Sequence, residues 1–483
     1  MAESFFTYES AVSRMFALGH ELAQTPSHKF DLAHMRVLLE AMQRPERRFP
    51  SVLIAGTNGK GSTAATLASI LRASGLKTGL YTSPHLIRIN ERIRVNDQEI
   101  GDDDFARLHG EVDGVSEKLV ERGGLPWHPS FFEMMTAIAF EYFGREHVEI
   151  AVLEVGMGGR LDATNVVEPK VSVITDISLD HQKFLGNSVG EIAREKVGII
   201  RAGGVVVTLP QQPEANDVIG NTILELGARG VSAVPYVPPV SPGSGDYLVA
   251  RGETVRAAGN GEKLLTVNDA KQGAKDAKEF VYQYPLQVMK HQIVVETTLV
   301  GRHQLRNVAL AIATAEELSK QGFAGITPQT IERGIRETRW PGRFQVLAAW
   351  AGWSEVVLDV AHNPAGAWAL RSALSERYGD RPLLFVFGAM RDKAISEMTE
   401  ILFPLAERVI ATRAENPRSA SPEEIRQAGA RTGTEIELAA DIASALEQAR
   451  KWAGATPEKV IVVTGSIYLV GEAMQVLQGS VTE

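Results

Sequence analysis

No cysteine occurs among the 483 residues, so disulfides and thiolate metal ligands are excluded, and any metal must be held by oxygen or imidazole. No apolar run has the length of a membrane-spanning helix. Basic charge is also in deficit: 50 Lys and Arg stand against 59 Asp and Glu, a net charge of −9. That balance argues against nucleic acid or an anionic membrane as the main partner. The opening Met-Ala-Glu-Ser-Phe-Phe lacks the basic and apolar regions of a secretory leader, so a cytoplasmic protein is expected. Internal repeats and low-complexity segments are missing too. The length exceeds what one core supports, so two or three domains are expected.

What the chain does have is a glycine-rich turn. Residues 53–63 read Leu-Ile-Ala-Gly-Thr-Asn-Gly-Lys-Gly-Ser-Thr, an apolar strand entering a turn with one lysine. A helix with Leu67, Ile70 and Leu71 on one face is predicted next. Glycines let backbone N–H groups close around phosphate oxygens, the helix N-terminus adds partial positive charge, and Lys60 adds a full one. Thr57, Asn58, Gly59, Lys60, Gly61 and Ser62 are therefore the candidate phosphate-binding residues. The spacing is not that of the common P-loop: Gly61 intervenes between Lys60 and Ser62, and the loop is shorter. This departure disfavours a generic GTPase or motor ATPase.

Short β-branched runs at 52–55, 148–155, 171–177 and 205–209 alternate with helical patterns, the rhythm of a covered parallel sheet. The stretch 235–245 is rich in Pro, Gly and Ser and reads as a loop. Residues 247–300 read as a small antiparallel excursion or sheet edge. A helical pattern over 303–337 ends at Arg339-Trp340-Pro341-Gly342, and a second βα series follows, with strands expected at 356–360, 383–387, 409–412, 436–438 and 460–464. The expected fold is α/β. A large P-loop nucleotide-binding domain with a parallel sheet (1–338) leads through a hinge (339–342) to a smaller Rossmann-like α/β domain (343–483).

Ligands of α/β folds sit at the carboxyl ends of the strands. Glu154 closes one apolar run ahead of Val-Gly-Met-Gly-Gly-Arg, where a magnesium ligand explains it better than a core position or a neighbouring helix cap. Asp180 and His181 follow another strand, and Ser83-Pro84 follows the second. Ser188 and Glu191 have capping-box spacing, so a helix should start there and carry Lys196 in its third turn. Read alone, Arg194-Glu195-Lys196 is a solvated helix face.

Five blocks resemble the Mur-type amide ligases, and most closely the folylpolyglutamate and dihydrofolate synthases: 56–62, 82–96 (Thr-Ser-Pro-His-Leu-Ile-Arg-Ile-Asn-Glu-Arg-Ile-Arg-Val-Asn), 153–165 (Leu-Glu-Val-Gly-Met-Gly-Gly-Arg-Leu-Asp-Ala-Thr-Asn), 177–200 and 358–364 (Leu-Asp-Val-Ala-His-Asn-Pro). The resemblance implies magnesium contacts at Ser83, Glu154 and His181, for a pair of ions with a monovalent cation beside them. It also implies carbamylation of Lys196, with Lys60, Lys196 and His181 as the catalytic set. By match to the family, Asn307, Arg343, Asp359 and His362 contact ATP; their plainer readings are a helix N-terminal polar residue for Asn307, a surface arginine for Arg343 and a helix cap for Asp359. Folate or pteroate recognition is expected at Asp31, Leu32, Ser130, Phe131, Phe132, Glu133, Arg160, Leu161 and Asp162. Phe131 and Phe132 equally fit the core of a helix. Ala33 and His34 depart from the residues commonest in dihydropteroate-binding relatives.

The expected activity is ATP-dependent addition of L-glutamate to dihydropteroate or to folate and its polyglutamates, through an acyl phosphate. A cell-wall amino-acid ligase would share the chemistry but lack the 82–96 block, and a nucleotide switch would carry the common P-loop. The expected partners are small molecules, with no nucleic acid or membrane, and the expected state is a monomer.

Overall fold

The computed structural model describes residues 7–19, 32–239, 248–250, 280–349, 353–454, 456 and 458–479. Asp31, the 240–245 part of the expected loop, and the 251–279 stretch lie outside the described residues.

The first sheet has eight strands: β1 (Ser51–Ala55), β2 (Thr78–Tyr81), β3 (Ile93–Val95), β4 (Gln98–Glu99), β5 (Ile150–Glu154), β6 (Val171–Ile174), β7 (Val205–Thr208) and β8 (Arg229–Ser232). Their spatial order is β4-β3-β2-β5-β1-β6-β7-β8, parallel from β2 to β8 with an antiparallel edge at β3 and β4. Every residue of β1 and β5 is buried, which is why both read as unbroken apolar runs rather than alternating ones. β1 pairs with β5 on one side and β6 on the other, and the chain leaves β1 toward β2 but β5 toward β6. The connections diverge there, opening a crevice at the carboxyl ends.

The helix Lys60–Ala73 differs from its expected one-faced character, because it is buried almost all round. Its second face is closed by the Pro328–Glu337 helix: Ser69 Oγ donates to the Gly334 carbonyl at 2.7 Å, and a Cβ on Gly334 would lie 2.4 Å from Ile70 Cα. Small residues such as Ala64, Ala65 and Ala68 make the double packing possible. The helical pattern over 303–337 also resolves into two helices, Arg302–Lys320 and Pro328–Glu337. Gly322 stops the first in the left-handed region (φ 101°), and Thr327 Oγ1 accepts the Thr330 N–H at the start of the second, where Pro328 takes the first position.

The excursion is a three-stranded antiparallel sheet of β9 (Leu248–Ala250), β10 (Phe280–Val288) and β11 (His291–Thr297). The last sheet, β12 (Gln345–Leu347), β13 (Glu355–Leu358), β14 (Leu383–Phe387), β15 (Arg408–Ala411), β16 (Glu435–Leu438) and β17 (Val460–Thr464), runs in the order β12-β13-β17-β14-β15-β16. It is parallel apart from β12. Two compact units result: residues 1–236 with 306–334, and 237–305 with 335–483, so each is assembled from two stretches of chain.

Candidate active site

Four of the sequence blocks meet because β2, β5, β1 and β6 are neighbours, and each block follows the carboxyl end of one of them. The turn after β1 depends on two glycines. Gly56 approaches Thr175 so closely that a Cβ would lie 1.8 Å from its hydroxyl oxygen. Gly59 adopts φ 88° ahead of the Lys60–Ala73 helix, and a Cβ there would lie 2.2 Å from Asn307 Oδ1. The Thr63 N–H makes the first ladder bond of that helix, to the Gly59 carbonyl at 2.9 Å, so the N–H groups of Lys60, Gly61 and Ser62 precede the ladder. They carry the positive end of the helix dipole, where an oxyanion binds.

Two amines converge on one carbonyl of this loop. Lys60 Nζ donates to Gly56 O at 3.1 Å and Thr57 O at 3.2 Å, while Lys196 Nζ donates to the same Gly56 O at 2.7 Å. Lys196 is buried, which corrects the solvated-face reading: of the three residues in that run, only Arg194 is exposed. The Val189–Lys196 helix begins with Ser188 and Glu191 in a reciprocal capping box, as their spacing requires, and it delivers Lys196 into the sheet end. Burial, and then the like charge of Lys60, lower the Lys196 amine to about 7, against a smaller opposing pull from Asp180 and Asp162.

On the other side of β1, the Ser83 N–H donates to Glu154 Oε2 at 3.1 Å, so these two expected oxygen ligands are adjacent. Glu154 is buried at the end of its strand, and its carboxylate, like the hydroxyl of Ser83, is an oxygen donor of the hard type magnesium takes. His181 lies on the β6 loop with left-handed backbone (φ 50°), its Nε2 4.0 Å from Asp180 Oδ2. Among the described residues no three of His, Asp and Glu cluster as a ready cation cage.

The expected pteridine residues divide. Phe131 is a core residue, stacked on Phe16 at 5.8 Å with the Arg92 guanidinium 5.1 Å from its ring. Phe132 is half-buried and lies over the glycine turn after β5, where a Cβ on Gly156 would meet its ring at 2.4 Å. Both oxygens of Glu133 are engaged: Oε1 is 2.9 Å from His34 Nδ1, and Oε2 accepts the Ser130 N–H at 2.8 Å and hydroxyl at 2.7 Å. His34 is wedged between Glu133 and the Trp127 carbonyl, 3.0 Å from Nε2, so that nitrogen bears a proton. Asp162 is buried, its carboxyl raised by desolvation, and it accepts N–H bonds from Met157 and Thr164 at 3.0 Å that shape the glycine turn. Arg160 is exposed and paired with Glu195 at 2.9 Å, while Leu161 and Leu32 are half-buried.

In the second unit, Asp359 sits at the carboxyl end of β13, buried, with its carboxyl raised by desolvation. Its oxygens accept the Phe344 and Ala361 N–H groups at 2.8 and 2.9 Å, so it ties Arg343's neighbour to the turn. The Pro364–Tyr378 helix is capped by Asn363 instead. Arg343 bonds the Gly342 carbonyl at 3.3 Å, and His362 Nδ1 donates to Val360 O at 2.9 Å.

Residues 342–467 match the Mur ligase glutamate ligase domain family. The dihydrofolate synthase/folylpolyglutamate synthase of Bacillus subtilis is 32% identical over 444 residues, 91% of this chain and 93% of that protein. The chain belongs to the folylpolyglutamate and dihydrofolate synthase family. The folylpolyglutamate synthase of Lacticaseibacillus casei is likewise 32% identical, over 95% of this chain and 96% of its own length. A solved structure of the Mycobacterium tuberculosis folylpolyglutamate synthase with ADP and AMPPCP matches at TM-score 0.79 and 29% identity, covering 97% of this chain and 99% of that one.

Within this synthase, two residues beside the phosphate loop lie outside the sequence-predicted set. Asp176 follows β6, and its carbonyl accepts the Thr57 and Asn58 N–H groups at 2.8 and 3.1 Å. Arg306, next to Asn307 on the Arg302–Lys320 helix, grips the Asp176 carboxylate. Neither has a local signal, since an acid after a strand and an arginine in a helix are ordinary surface residues; adjacency to Asn307 was the available hint.

Proposed function

We propose that this synthase adds L-glutamate to dihydropteroate, and to tetrahydrofolate and its polyglutamates, with ATP as the second substrate. The observation that carries the reading is the pair of amines, Lys60 and Lys196, on the Gly56 carbonyl at the head of a helix whose first N–H groups precede its ladder. The γ-phosphate lies against Lys60, which exchanges its loop carbonyls for phosphate oxygens. The folate carboxylate attacks that phosphate, ADP departs, and an acyl phosphate forms. The glutamate amine then adds to the acyl carbon, and the tetrahedral intermediate expels phosphate. Lys196 is neutral often enough at neutral pH to take up carbon dioxide, and the carbamate replaces an amine with an anion beside the reacting groups. Ser83 and Glu154, with His181, would hold magnesium, which when bound offsets phosphate charge. A monovalent cation would complete the ion set.

Phe132 and Leu32 face the pteridine in this reading, while Glu133 and Asp162 shape the walls. Functionally the chain divides at 339–342, just at the start of the matched glutamate ligase domain, and the enzyme works as a cytoplasmic monomer. Among the described residues no helix is long and apolar enough to cross a membrane.

The test is ADP release with dihydropteroate and with tetrahydrofolate, each with and without glutamate. Glutamate-dependent ADP release with either acceptor supports the ligase, and release indifferent to both overturns it. Lys60→Ala should lower the rate about a hundredfold or more while the protein stays folded, because a half-exposed side chain at the start of a helix is lost along with its transition-state charge.

A further inference from the structure

We infer that Arg306 is a positioning residue for ATP: by gripping Asp176 it holds the turn from which the phosphate loop hangs, and it cancels a negative charge beside the phosphates. The inference rests on residues 56–62 being the ATP phosphate loop.

The first half of that loop is suspended from residues 176–178. Asp176 O receives the Thr57 and Asn58 N–H groups at 2.8 and 3.1 Å. Thr57 Oγ1 donates to Ser178 O at 3.0 Å and accepts the Ser178 N–H at 3.1 Å, while Asn58 Nδ2 donates to Ser178 Oγ at 3.2 Å. These contacts commit the Thr57 and Asn58 amides, so their position sets where the later amides of Lys60, Gly61 and Ser62 point. Residues 176–178 lie beyond β6, and among the described residues no sheet ladder holds them apart from a single bridge between Asp176 and Asn58.

Side chains hold them instead. Arg306 forms a two-pronged contact with Asp176, Nη2 to Oδ1 at 2.5 Å and Nε to Oδ2 at 3.1 Å, and Nη2 also reaches Pro210 O at 3.0 Å. One guanidinium thus ties the loop after β6 to the loop after β7, a planar fork that a lysine cannot reproduce. Gln211 adds two bonds, to the Ile177 N–H at 3.0 Å and Thr175 O at 3.2 Å. The residue after Arg306 is Asn307, whose Oδ1 abuts Gly59, so one helical turn touches both halves of the loop.

The pair is about one-third exposed on each side, so solvent screens it and its share of global stability is small. Its consequence is local. Removing Arg306 frees the turn and also leaves a carboxylate near an anion site, whereas removing the carboxylate as well deletes the repulsion.

The experiment is a double-mutant cycle on ATP kinetics with Arg306→Ala, Asp176→Ala, the double variant and Arg306→Lys. Arg306→Ala should raise KM for ATP about tenfold with kcat within about twofold, Asp176→Ala should raise it less, and the double variant should match Asp176→Ala. Arg306→Lys should recover part of the loss, KM for the folate acceptor should stay put, and the melting temperature should move little. An ATP KM unchanged in the single variants, or single effects that multiply in the double, overturns the inference while leaving the ligase reading standing. A wild-type protein that consumes no ATP overturns both.

Discussion

At the scale of the residue, Lys196 owes its chemistry to position. Its amine falls from the usual 10.5 to about 7, first because burial strips water from the ammonium and then because Lys60 shares its acceptor. Between those values the unfolded chain binds more protons than the folded one, so this group's contribution raises stability as pH climbs through that window. Carbon dioxide reacts with the neutral amine only. A carbamate signal from labelled bicarbonate, followed by NMR, should therefore grow as pH rises through about 7 and vanish in Lys196→Ala. Lys60→Ala removes the like charge and should move the rise to higher pH; a signal independent of both changes would refute the account. Gly59 makes a second residue-scale case. Gly59→Ala places a Cβ 2.2 Å from Asn307 Oδ1 in a left-handed backbone, so ATP affinity should fall at least about tenfold. Truncating Asn307 in the same protein should restore part of it, and an affinity indifferent to Gly59→Ala would show that the loop tolerates the displacement.

At the scale of the element, the eight-residue Val189–Lys196 helix is short enough that its cap matters. Ser188 Oγ accepts the Glu191 N–H at 3.2 Å, and Glu191 Oε2 accepts the Asn187 and Ser188 N–H groups at 2.7 and 3.1 Å. Ser188→Ala should lower the urea midpoint without changing the slope, and it should reduce carbamate at Lys196, seated at the other end of the helix. An unchanged midpoint would mean that packing alone holds the helix. This helix start was legible in the sequence because a capping box is a contact between residues three apart. The burial of its last residue was not, since that depends on where the helix lies on the sheet. The same split explains the glutamate of the Ser130–Glu133 box: the cap is local, whereas its second partner, His34, is distant in sequence and arrives with the Leu32–Ala41 helix.

At the scale of the whole molecule, the chain leaves its first unit at residue 237, returns at 306 and leaves again at 335. Within the second unit the excursion is fastened to the 335–483 stretch by Tyr282, whose hydroxyl donates to Glu376 Oε2 at 2.9 Å. The other oxygen, Oε1, is buried with no hydrogen-bond partner among the described residues. Desolvation, followed by the nearby carboxylate, raises the Tyr282 phenol, so it remains a donor across the ordinary pH range. Tyr282→Phe strands that carboxylate and should cost about 1–3 kcal/mol in urea unfolding. Adding Glu376→Gln should recover part of the cost, and a Tyr282→Phe protein as stable as the parent would remove the fastening role.

The glycine turn, the strand ends, the capping box and the family blocks were legible along the chain, because each is chemistry between near neighbours. The sequence also foretold most strands of both parallel sheets, since strands buried on both faces must be apolar throughout. The order β2-β5-β1-β6 was decided by tertiary structure, and with it the contact of Ser83 with Glu154, the shared carbonyl of Lys60 and Lys196, and the hold of Arg306 on Asp176. Ser83 and Glu154 are 71 residues apart, Arg306 and Asp176 130, and Lys196 lies 140 residues from the Gly56 carbonyl that it shares with Lys60. Side-chain type carries no information about which strand will lie beside which; that is settled only when the apolar faces of sheet and helices are buried together.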